Sequence, residues 1–296
     1  MQKITPCLLF DSNAEEAANY YISIFANSKI VNIMRYGEAG PAPKGTAMFA
    51  AFQLEGQDFI ALNGGNSQFT FTPALSFFVN CETQEEVNNL WDKLSESGTV
   101  LMELEKYPFS EKFGWIEDKF GVSWQLNLAS RMQKITPFLM FVGKQHGKAE
   151  EAMNFYVSLF NNSSVNKIER YNEGQEGAEG TVMHAVFSLN EQEFMAMDSN
   201  LEHPFTFTEA VSLFVNCETQ AEVDQLWEKL SKGGENQGPG WIKDKYGVSW
   251  QIVPTILGEM LSDPDPGKSQ RVMQAMLQMG KINIKKLKQA YGGELT

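Results

Sequence analysis

Two glutamines stand in nearly identical phrases, and their repeated placement makes them the first candidates for a binding site. Gln125 belongs to "FGVSWQLN" and Gln251 to "YGVSWQIV". A glutamine side chain can donate and accept hydrogen bonds to a bound ligand, and it can equally tie one strand to its neighbour. The sequence leaves both interpretations open.

A histidine and an aspartate in the second half of the chain could supply acid–base chemistry. "TVMHAVFSL" and "EFMAMDS" alternate as strands do, and a turn over Asn190–Gln192 would place Leu189 opposite Glu193 and His184 opposite Asp198. A carboxylate opposite an imidazole orients it and raises its basicity, as a general base requires. We therefore predict a catalytic pair of His184 and Asp198. The alternative is a sheet histidine without a catalytic task.

Several aromatic residues could form the walls of a pocket. The segment "TVLMELEKYPF" is typical of a strand followed by a lid, and Tyr107, Phe109 and Phe113 would be its wall residues. Trp115 and Trp241 open a predicted hairpin in the two halves of the chain, where they could line a cavity or simply pack. We expect ligand contacts from Tyr107, Phe109 and the two tryptophans.

A long repeat positions all these residues. "MQKITPCLLF" at residue 1 recurs as "MQKITPFLMF" at residue 132, and "FTFTPALSFFVNCETQ" recurs as "FTFTEAVSLFVNCETQ". The period of about 130 residues is too long for a solenoid unit. The sequence therefore predicts a duplicated domain, with copy one at 1–129, copy two at 132–257 and a tail at 258–296 that contains helices.

Each copy has the same predicted order of elements, which is a strand, a helix and three strands, followed by a second unit of a strand, a helix and further strands. In copy two, "ITPFLMFV" is typical of a buried strand, and "KAEEAMNFYVSLF" carries one apolar helical stripe. Thr219 is followed three residues later by Glu222, which is the capping-box pattern of a helix start. Trp124 and Trp250 alternate with the glutamines and are expected in the core.

The two copies differ at the positions of the predicted catalytic pair and in the length of the lid. Copy one has Phe49 and Asn63 where copy two has His184 and Asp198. Copy one also keeps the lid in "SESGTVLMELEKYPFSEKFGW", which copy two shortens to "SKGGENQGPGW". The Gly- and Pro-rich segment of copy two is typical of a bare turn. We therefore expect two unequal cavities, of which at most one is fully competent.

The order of elements and the phrases "ITPFLMF", "AEEAMNFY", "SLFVNCET" and "GVSWQ" resemble the vicinal oxygen chelate superfamily, which has the glyoxalase and bleomycin-resistance fold, and within it the PhnB-like branch. The resemblance covers both copies almost end to end. It implies an α+β fold of two tandem domains, each built of paired βαβββ modules with a curled mixed sheet around an open cavity. A helical tail completes the chain.

Metal-using members of this superfamily take their ligands from the first and fourth strands of each module. Carried over to this chain, the resemblance points to Pro6, Ala61, Leu75 or Ser76 and Gln125 in copy one, and to Pro137, Ala196, Val211 or Ser212 and Gln251 in copy two. Only the glutamines could reach a metal, and a neutral amide is a poor ligand for hard divalent ions. We therefore expect no metal and no other cofactor, with a divalent metal as the alternative.

Composition limits the partners. The formal net charge of −13 argues against a nucleic acid or an anionic membrane as partner. The three cysteines are too few for a disulfide framework, and the N-terminus has no signal-peptide pattern, so we expect a cytoplasmic protein. Single-copy relatives pair as dimers, and the duplication would make an intramolecular pseudo-dimer. A homodimer through the tail is a further possibility.

Three functions remain open at this point. The first is the binding of a small molecule, of unknown identity, in a cavity without the usual metal. The second is an isomerase or lyase that depends on a metal or on acid–base chemistry at His184 and Asp198. The third is a structural pseudo-dimer whose cavities are filled by side chains. Members of this branch often carry a ubiquinone-methyltransferase label, but no strand is followed by a G-x-G loop for S-adenosylmethionine, and we expect no such activity.

Overall fold

The computed structural model describes residues 2–37, 42–64 and 69–293. These residues form 16 strands and seven helices, arranged as four modules of one strand, one helix and three strands, followed by a helical tail. The predicted α+β class, the mixed sheets and the tandem duplication are confirmed.

The modules are numbered along the chain. Module 1 contains β1 Ile4–Phe10, α1 Ala14–Ile24, β2 Lys29–Arg35, β3 Ala47–Leu54 and β4 Gln57–Asn63. Module 2 contains β5 Leu75–Cys81, α2 Gln84–Ser95, β6 Thr99–Tyr107, β7 Ser110–Glu117 and β8 Ser123–Leu128. Module 3 contains β9 Ile135–Phe141, a 3-10 turn at Gly143–Gln145, α3 Ala149–Val157, β10 Ser164–Arg170, β11 Val182–Leu189 and β12 Gln192–Asp198. Module 4 contains β13 Val211–Cys217, α4 Gln220–Ser231, β14 Glu235–Gly238, β15 Trp241–Lys243 and β16 Ser249–Pro254.

The two sheets each combine modules from both copies. Sheet A has the order β14-β15-β16-β13-β1-β4-β3-β2, so it joins module 4 to module 1. Sheet B has the order β10-β11-β12-β9-β5-β8-β7-β6, so it joins module 3 to module 2. The modules that share a sheet are therefore those of different copies.

Antiparallel strands join the modules at the centre of each sheet. Ile4 of β1 pairs with Val215 of β13, and Leu75 of β5 pairs with Leu139 of β9. Within each module the first and fourth strands run parallel, and a helix forms the crossover. Such crossovers place the helix on one face of the sheet, so one face is covered and the other carries none of the helices α1 to α4; we call the latter the helix-free face.

One hydrophobic core holds the four modules together. It contains residues of all four helices and of the helix-covered faces of both sheets. Trp124 and Trp250 lie in it with no exposed surface, as their alternation with the glutamines predicts. Tyr21 of α1 packs on Trp124 at a centroid distance of 5.3 Å, which links modules 1 and 2 on the helix side.

A buried aspartate explains why the phrase ending in "GVSWQ" occurs twice. One carboxylate oxygen of Asp118 accepts hydrogen bonds from the backbone N–H groups of Phe120 and Val122, and the other accepts from Tyr21 and Trp124 side chains. Asp244 makes the same four bonds in copy two. The aspartate thus shapes the turn and fixes the tryptophan, and both phrases are architectural.

The predicted capping box is confirmed. The hydroxyl of Thr219 accepts a hydrogen bond from the backbone N–H of Glu222, and the carboxylate of Glu222 accepts one from the N–H of Glu218. Helix α4 therefore begins where the pattern places it.

The tail forms three helices, which are α5 Thr255–Leu261, α6 Pro266–Leu277 and α7 Ile284–Gly292. Their apolar side chains form a cluster of their own that also contacts Val253 of β16. The N–H of Gly240 donates to the carbonyl of Gly280 at 2.8 Å. In sheet B the position of Gly240 is held by Gly114, whose strand pairs with β6. The tail therefore lies where copy one has the edge strand of its lid.

The three cysteines are buried and unpaired. Burial raises the pKa of Cys7 to about 12, so its thiol stays protonated and unreactive at neutral pH. Among the residues described, none of the helices is long and apolar enough to cross a membrane.

Candidate functional site

The helix-free face of sheet B carries a compact apolar cluster, which we call the face cluster. Its buried members come from β9 and the residue after it, from β11 and from β12. They are Phe138, Met140, Val142, Val186 and Met195. Met195 is 1% exposed and Phe138 4% exposed, although no helix residue belongs to the cluster. Side chains on an uncovered flat sheet would be exposed, so this burial indicates a sheet that curves around its own side chains.

A row of aromatic rings crosses this face from the lid to β11, and we call it the aromatic row. Neighbouring rings have centroids 5.1 to 6.3 Å apart in the order Tyr107, Phe109, Phe113, Phe78, Phe138 and His184. These are the separations at which aromatic side chains attract one another. Copy one supplies the first four rings and copy two the last two.

The lid is a hairpin of β6 and β7 at the edge of sheet B. Phe113 is buried by it, whereas Phe109 at the hairpin tip is 68% exposed and Tyr107 is half-buried. The structure thus places all three predicted wall residues at one end of the aromatic row. An aromatic ring that stays exposed next to buried rings offers a surface for an apolar ligand.

Sheet A lacks a continuous row. By the repeat, Phe49 stands at the position of His184, Phe214 at that of Phe78, and Cys7 at that of Phe138. Pro239 replaces the lid residue Phe113. The thiol and the lost lid interrupt the row in the middle and at its end, so the two helix-free faces are chemically unequal.

Gln125 lies beneath the aromatic row and is 5% exposed. Its Nε2 donates a hydrogen bond to the hydroxyl of Ser76 at 2.8 Å, which ties β8 to β5. Its Oε1 makes no hydrogen bond to any residue of the described ranges, so that oxygen can accept from a ligand. Gln251 makes the matching bond to Ser212 at 2.9 Å in sheet A. The structural interpretation of both glutamines is confirmed, and a ligand contact stays a prediction.

The two hairpin tryptophans differ between the sheets. Trp115 is half-buried, packs against the face cluster and donates from Nε1 to the hydroxyl of Ser123 at 2.8 Å. Trp241 is also half-buried, but it leaves the hydroxyl of Ser249 without a hydrogen-bond partner in the part of the chain that the structure describes. Trp115 therefore borders the candidate site in sheet B.

His184 lies on the helix-free face, half-buried against Phe138. Burial lowers the pKa of its imidazole, because the charged form would lose its hydration, and nearby Arg131 and Lys167 lower it further. Glu169, which pairs with His184 across the strands, acts in the opposite direction and does not overcome the burial. The imidazole is therefore neutral at pH 7.

The predicted turn at Asn190–Gln192 is one residue too long. The turn consists of Asn190 and Glu191 alone, with φ of 48° and 69°, and Leu189 pairs directly with Gln192. Two left-handed residues in sequence form the tight hairpin turn whose twist suits adjacent strands. The shift by one residue exchanges the two faces of β12, because successive side chains point to opposite sides.

The predicted pair of His184 and Asp198 is therefore wrong. Asp198 points to the helix side, where one oxygen accepts from the N–H groups of Gly147 and Ala149 and the other from that of Val182. It caps the start of α3 and holds the end of β11. Asn63 does the matching task in copy one, accepting from the N–H of Ala14. The aspartate is structural, and the carboxylate opposite His184 on its own face is that of Glu169 on β10.

The metal ligand positions of the superfamily do not fit a metal in this chain. Alternation places most of them on the helix side, and only Ser76, Ser212 and the two glutamines lie on the helix-free faces. Within the described ranges, no three His, Cys, Asp or Glu side chains are grouped so that they could hold a metal ion. The donors present are hydroxyls and amides, which are weak ligands on their own.

Two residues of the aromatic row were missed by the sequence analysis. Phe78 and Phe138 lie in the strands "LSFFVNC" and "ITPFLMF", which carry apolar residues on both faces. Because both faces of such strands are partly apolar, alternation alone does not show which face is free of helices. The comparison of Phe138 with Cys7 could have revealed it, because a core position rarely tolerates that change of volume.

A family model described as 3-demethylubiquinone-9 3-methyltransferase matches residues 2–127 and again residues 133–253. No curated protein matches the chain.

Solved structures resemble the chain in two ways. A putative 3-demethylubiquinone-9 3-methyltransferase, the PhnB protein from Bacillus cereus, is 53% identical over 43% of this chain and all of its own length, with a TM-score of 0.42. A Pseudomonas aeruginosa protein is 24% identical over 44% of this chain and all of its own length, with a TM-score of 0.39. Glyoxalase I from Zea mays is 10% identical but covers 83% of this chain and 92% of its own, with a TM-score of 0.55, which is a likeness of fold alone.

Proposed function

The chain belongs to the 3-demethylubiquinone-9 3-methyltransferase family, in its PhnB-like, tandem form of the vicinal oxygen chelate superfamily, and we propose that it binds a small aromatic molecule on the helix-free face of sheet B. The ligand would lie along the aromatic row, between the lid and His184.

The aromatic row is the observation that carries the proposal. It joins rings from both copies on one face, and its lid end keeps Phe109 exposed. Flat rings of a ligand gain contact area and quadrupole attraction against such rings. The free Oε1 of Gln125 and the neutral imidazole of His184 can supply the few polar contacts that fix a ligand's orientation.

We also propose that binding proceeds without the superfamily's usual metal. The glutamine at the ligand position already donates its amide N–H to Ser76, and within the described ranges no three His, Cys, Asp or Glu side chains are grouped so that they could hold a metal ion. A metal bound at the free Oε1 would gain a single neutral amide oxygen from Gln125, which is a weak ligand for a divalent ion.

The test uses tryptophol, a neutral indole alcohol, as a probe in isothermal titration. We expect binding by the full chain, and at least a tenfold loss of affinity in Phe138→Cys, which gives sheet B the residue of sheet A. The matched variant Cys7→Phe should leave the affinity of sheet B unchanged. Gln125→Leu should weaken binding and Gln251→Leu should not. Equal loss in both members of a pair would refute a site on sheet B, and so would the failure of tryptophol and of its charged indole analogues to bind.

A second candidate function is turnover at the same site, with His184 as the general base. It is favoured by one observation, the neutral imidazole on the face that carries the aromatic row. Deuterium exchange at the carbon next to the carbonyl of an added aryl ketone, lost in His184→Phe, would support it. Exchange at the rate of buffer alone would exclude this role.

We do not propose methyl transfer from the family description. The sequence predicts no G-x-G loop after a strand in any of the four modules. In copy one, the strand-to-helix connections are Asp11–Asn13 and Glu82–Thr83.

We propose the cytoplasm as the place of action, on the basis of three unpaired thiols.

A further inference from the structure

Glu117 is a charged residue at the border of the site that has no ion-pair partner among the residues that the structure describes. It ends strand β7, two residues beyond Trp115. Between them, Ile116 is fully buried in the core, so alternation turns Trp115 and Glu117 to the helix-free face. Glu117 pairs across the strands with Ser123, the residue that accepts the hydrogen bond of Trp115.

Among the described residues, no hydrogen-bond donor or cation contacts the carboxylate of Glu117. Burial raises its pKa, and the only neighbouring charge that acts on it is the negative Asp118, which raises the pKa further. The nearest lysine in sequence, Lys119, is engaged elsewhere, with its ammonium 4.3 Å from the ring of Tyr20. A half-buried carboxylate that stays charged without a partner loses hydration free energy, which a cation in its place would restore.

The same place in sheet A shows what such a partner does. The repeat puts Lys243 at the position of Glu117, and Glu209 at the position of Pro73. Lys243 and Glu209 form an ion pair at 3.0 Å, and Gln237 donates a further hydrogen bond to Glu209. Sheet A therefore contains both charges, whereas sheet B contains one carboxylate and a proline.

We infer that sheet B takes a ligand with a positively charged group, an organic ammonium on an aromatic body, whose charge pairs with Glu117 beside Trp115. This inference rests on the proposed function, since it names the chemical class of the molecule held on the aromatic row. The indole of Trp115 adds to the recognition, because a cation near an aromatic ring is attracted by its quadrupole. The net charge of −13 favours the approach of a cation as well.

The experiment compares three probes with the same indole body in isothermal titrations of the full chain. They are tryptamine, which is a cation, tryptophol, which is neutral, and indole-3-propionate, which is an anion. We expect tryptamine to bind at least tenfold more tightly than tryptophol, and indole-3-propionate to bind more weakly than either. A hydrogen bond to a charged group is worth at least this factor.

Three variants locate the effect. Glu117→Gln should lower the affinity for tryptamine to that for tryptophol, and it should leave the affinity for tryptophol unchanged. Glu117→Lys, which copies the residue of sheet A, should bind indole-3-propionate more tightly than tryptamine. Glu209→Gln removes the carboxylate of sheet A and should leave the order of the wild type intact. A thermal melt of each variant checks that it is folded.

The outcomes separate the two proposals. Equal binding of tryptamine and tryptophol by the wild type, or a preference that survives in Glu117→Gln, overturns the inference and leaves the aromatic site standing. A preference lost in Glu209→Gln overturns it as well and assigns the cation to sheet A. Failure of all three probes to bind refutes the proposed function, and the inference falls with it.

Discussion

His184 and Gln125 lie on the same face of one sheet, although His184 comes from copy two and Gln125 from copy one. The sequence predicts them in different cavities, one with the lid and one with the histidine. Because sheet B joins module 2 to module 3, the lid, the glutamine and the histidine stand together. The other sheet keeps Phe49 and a shortened hairpin.

Each copy alone should form a dimer. Separation at residue 130 would leave β1 without β13 and β5 without β9, and so expose two central strands such as Ile4–Phe10. Unpaired apolar strands recruit a partner of the same kind. We expect residues 1–129 to have twice the monomer mass in light scattering, and the full chain to have the mass of one chain at the same protomer concentration. A compact, cooperatively unfolding monomer of 1–129 would contradict the pairing.

Asp118→Asn should destabilise the fold. Four donors point at the carboxylate, and an amide presents its own N–H groups to two of them. Buried donors without acceptors cost about 1 to 3 kcal/mol each, so we expect a loss of about 3 kcal/mol in urea unfolding. Asp244→Asn should lose a similar amount, and the exposed Asp92→Asn should change stability by less than about 0.5 kcal/mol. A neutral effect at Asp118 would refute its role in the turn.

Phe109 and Phe113 should separate binding from stability. Phe113 is 3% exposed, so Phe113→Ala should cost about 3 to 5 kcal/mol in the free energy of unfolding. Phe109 is 68% exposed, so Phe109→Ala should cost less than about 0.5 kcal/mol and yet weaken tryptophol binding severalfold. Denaturation and titration of the same two variants decide this. If Phe109→Ala binds tryptophol like the wild type, the lid tip is not part of the site.

His184 should make stability depend on pH below neutrality. Its folded pKa is lowered from 6.5 by burial, so the unfolded chain binds the proton first as the pH falls. Stability from this group is complete above pH 6.5 and is lost as the pH falls towards the folded pKa. The melting temperature of His184→Phe, which carries the copy-one residue, should therefore fall less than that of the wild type between pH 7.5 and pH 5.5. Parallel curves for the two proteins would show that His184 is not desolvated.

Much of the fold could be predicted from the sequence, because the repeat allows each element to be recognised twice. The capping box at Thr219 and the buried Trp124 and Trp250 follow from local spacing and alternation. Strand types and helix starts are local properties, and a duplicated chain states them in two versions. The predicted order of elements agrees with the structure in modules 1 to 3, whereas in module 4 the segment predicted as a bare turn contains the short strand β14.

The candidate site was harder to predict, for two physical reasons. The first is register, since one residue in the turn at Asn190 decides whether Asp198 shares a face with His184. The second is partnership, since no local pattern says whether β5 pairs within its own copy or with β9. Both the register and the strand partner depend on long-range packing. Together they bring Phe138 and the lid to the same face of sheet B.

Sharing each sheet between the copies has a consequence for how the halves can diverge. In a two-fold symmetric assembly of identical subunits, any substitution appears in both sheets, so a lid and a histidine added to the subunit would be present twice. A single continuous chain removes that symmetry. A change in copy one's second module and a change in copy two's first module then accumulate in sheet B alone, and evolution can specialise one sheet while the other serves as scaffold.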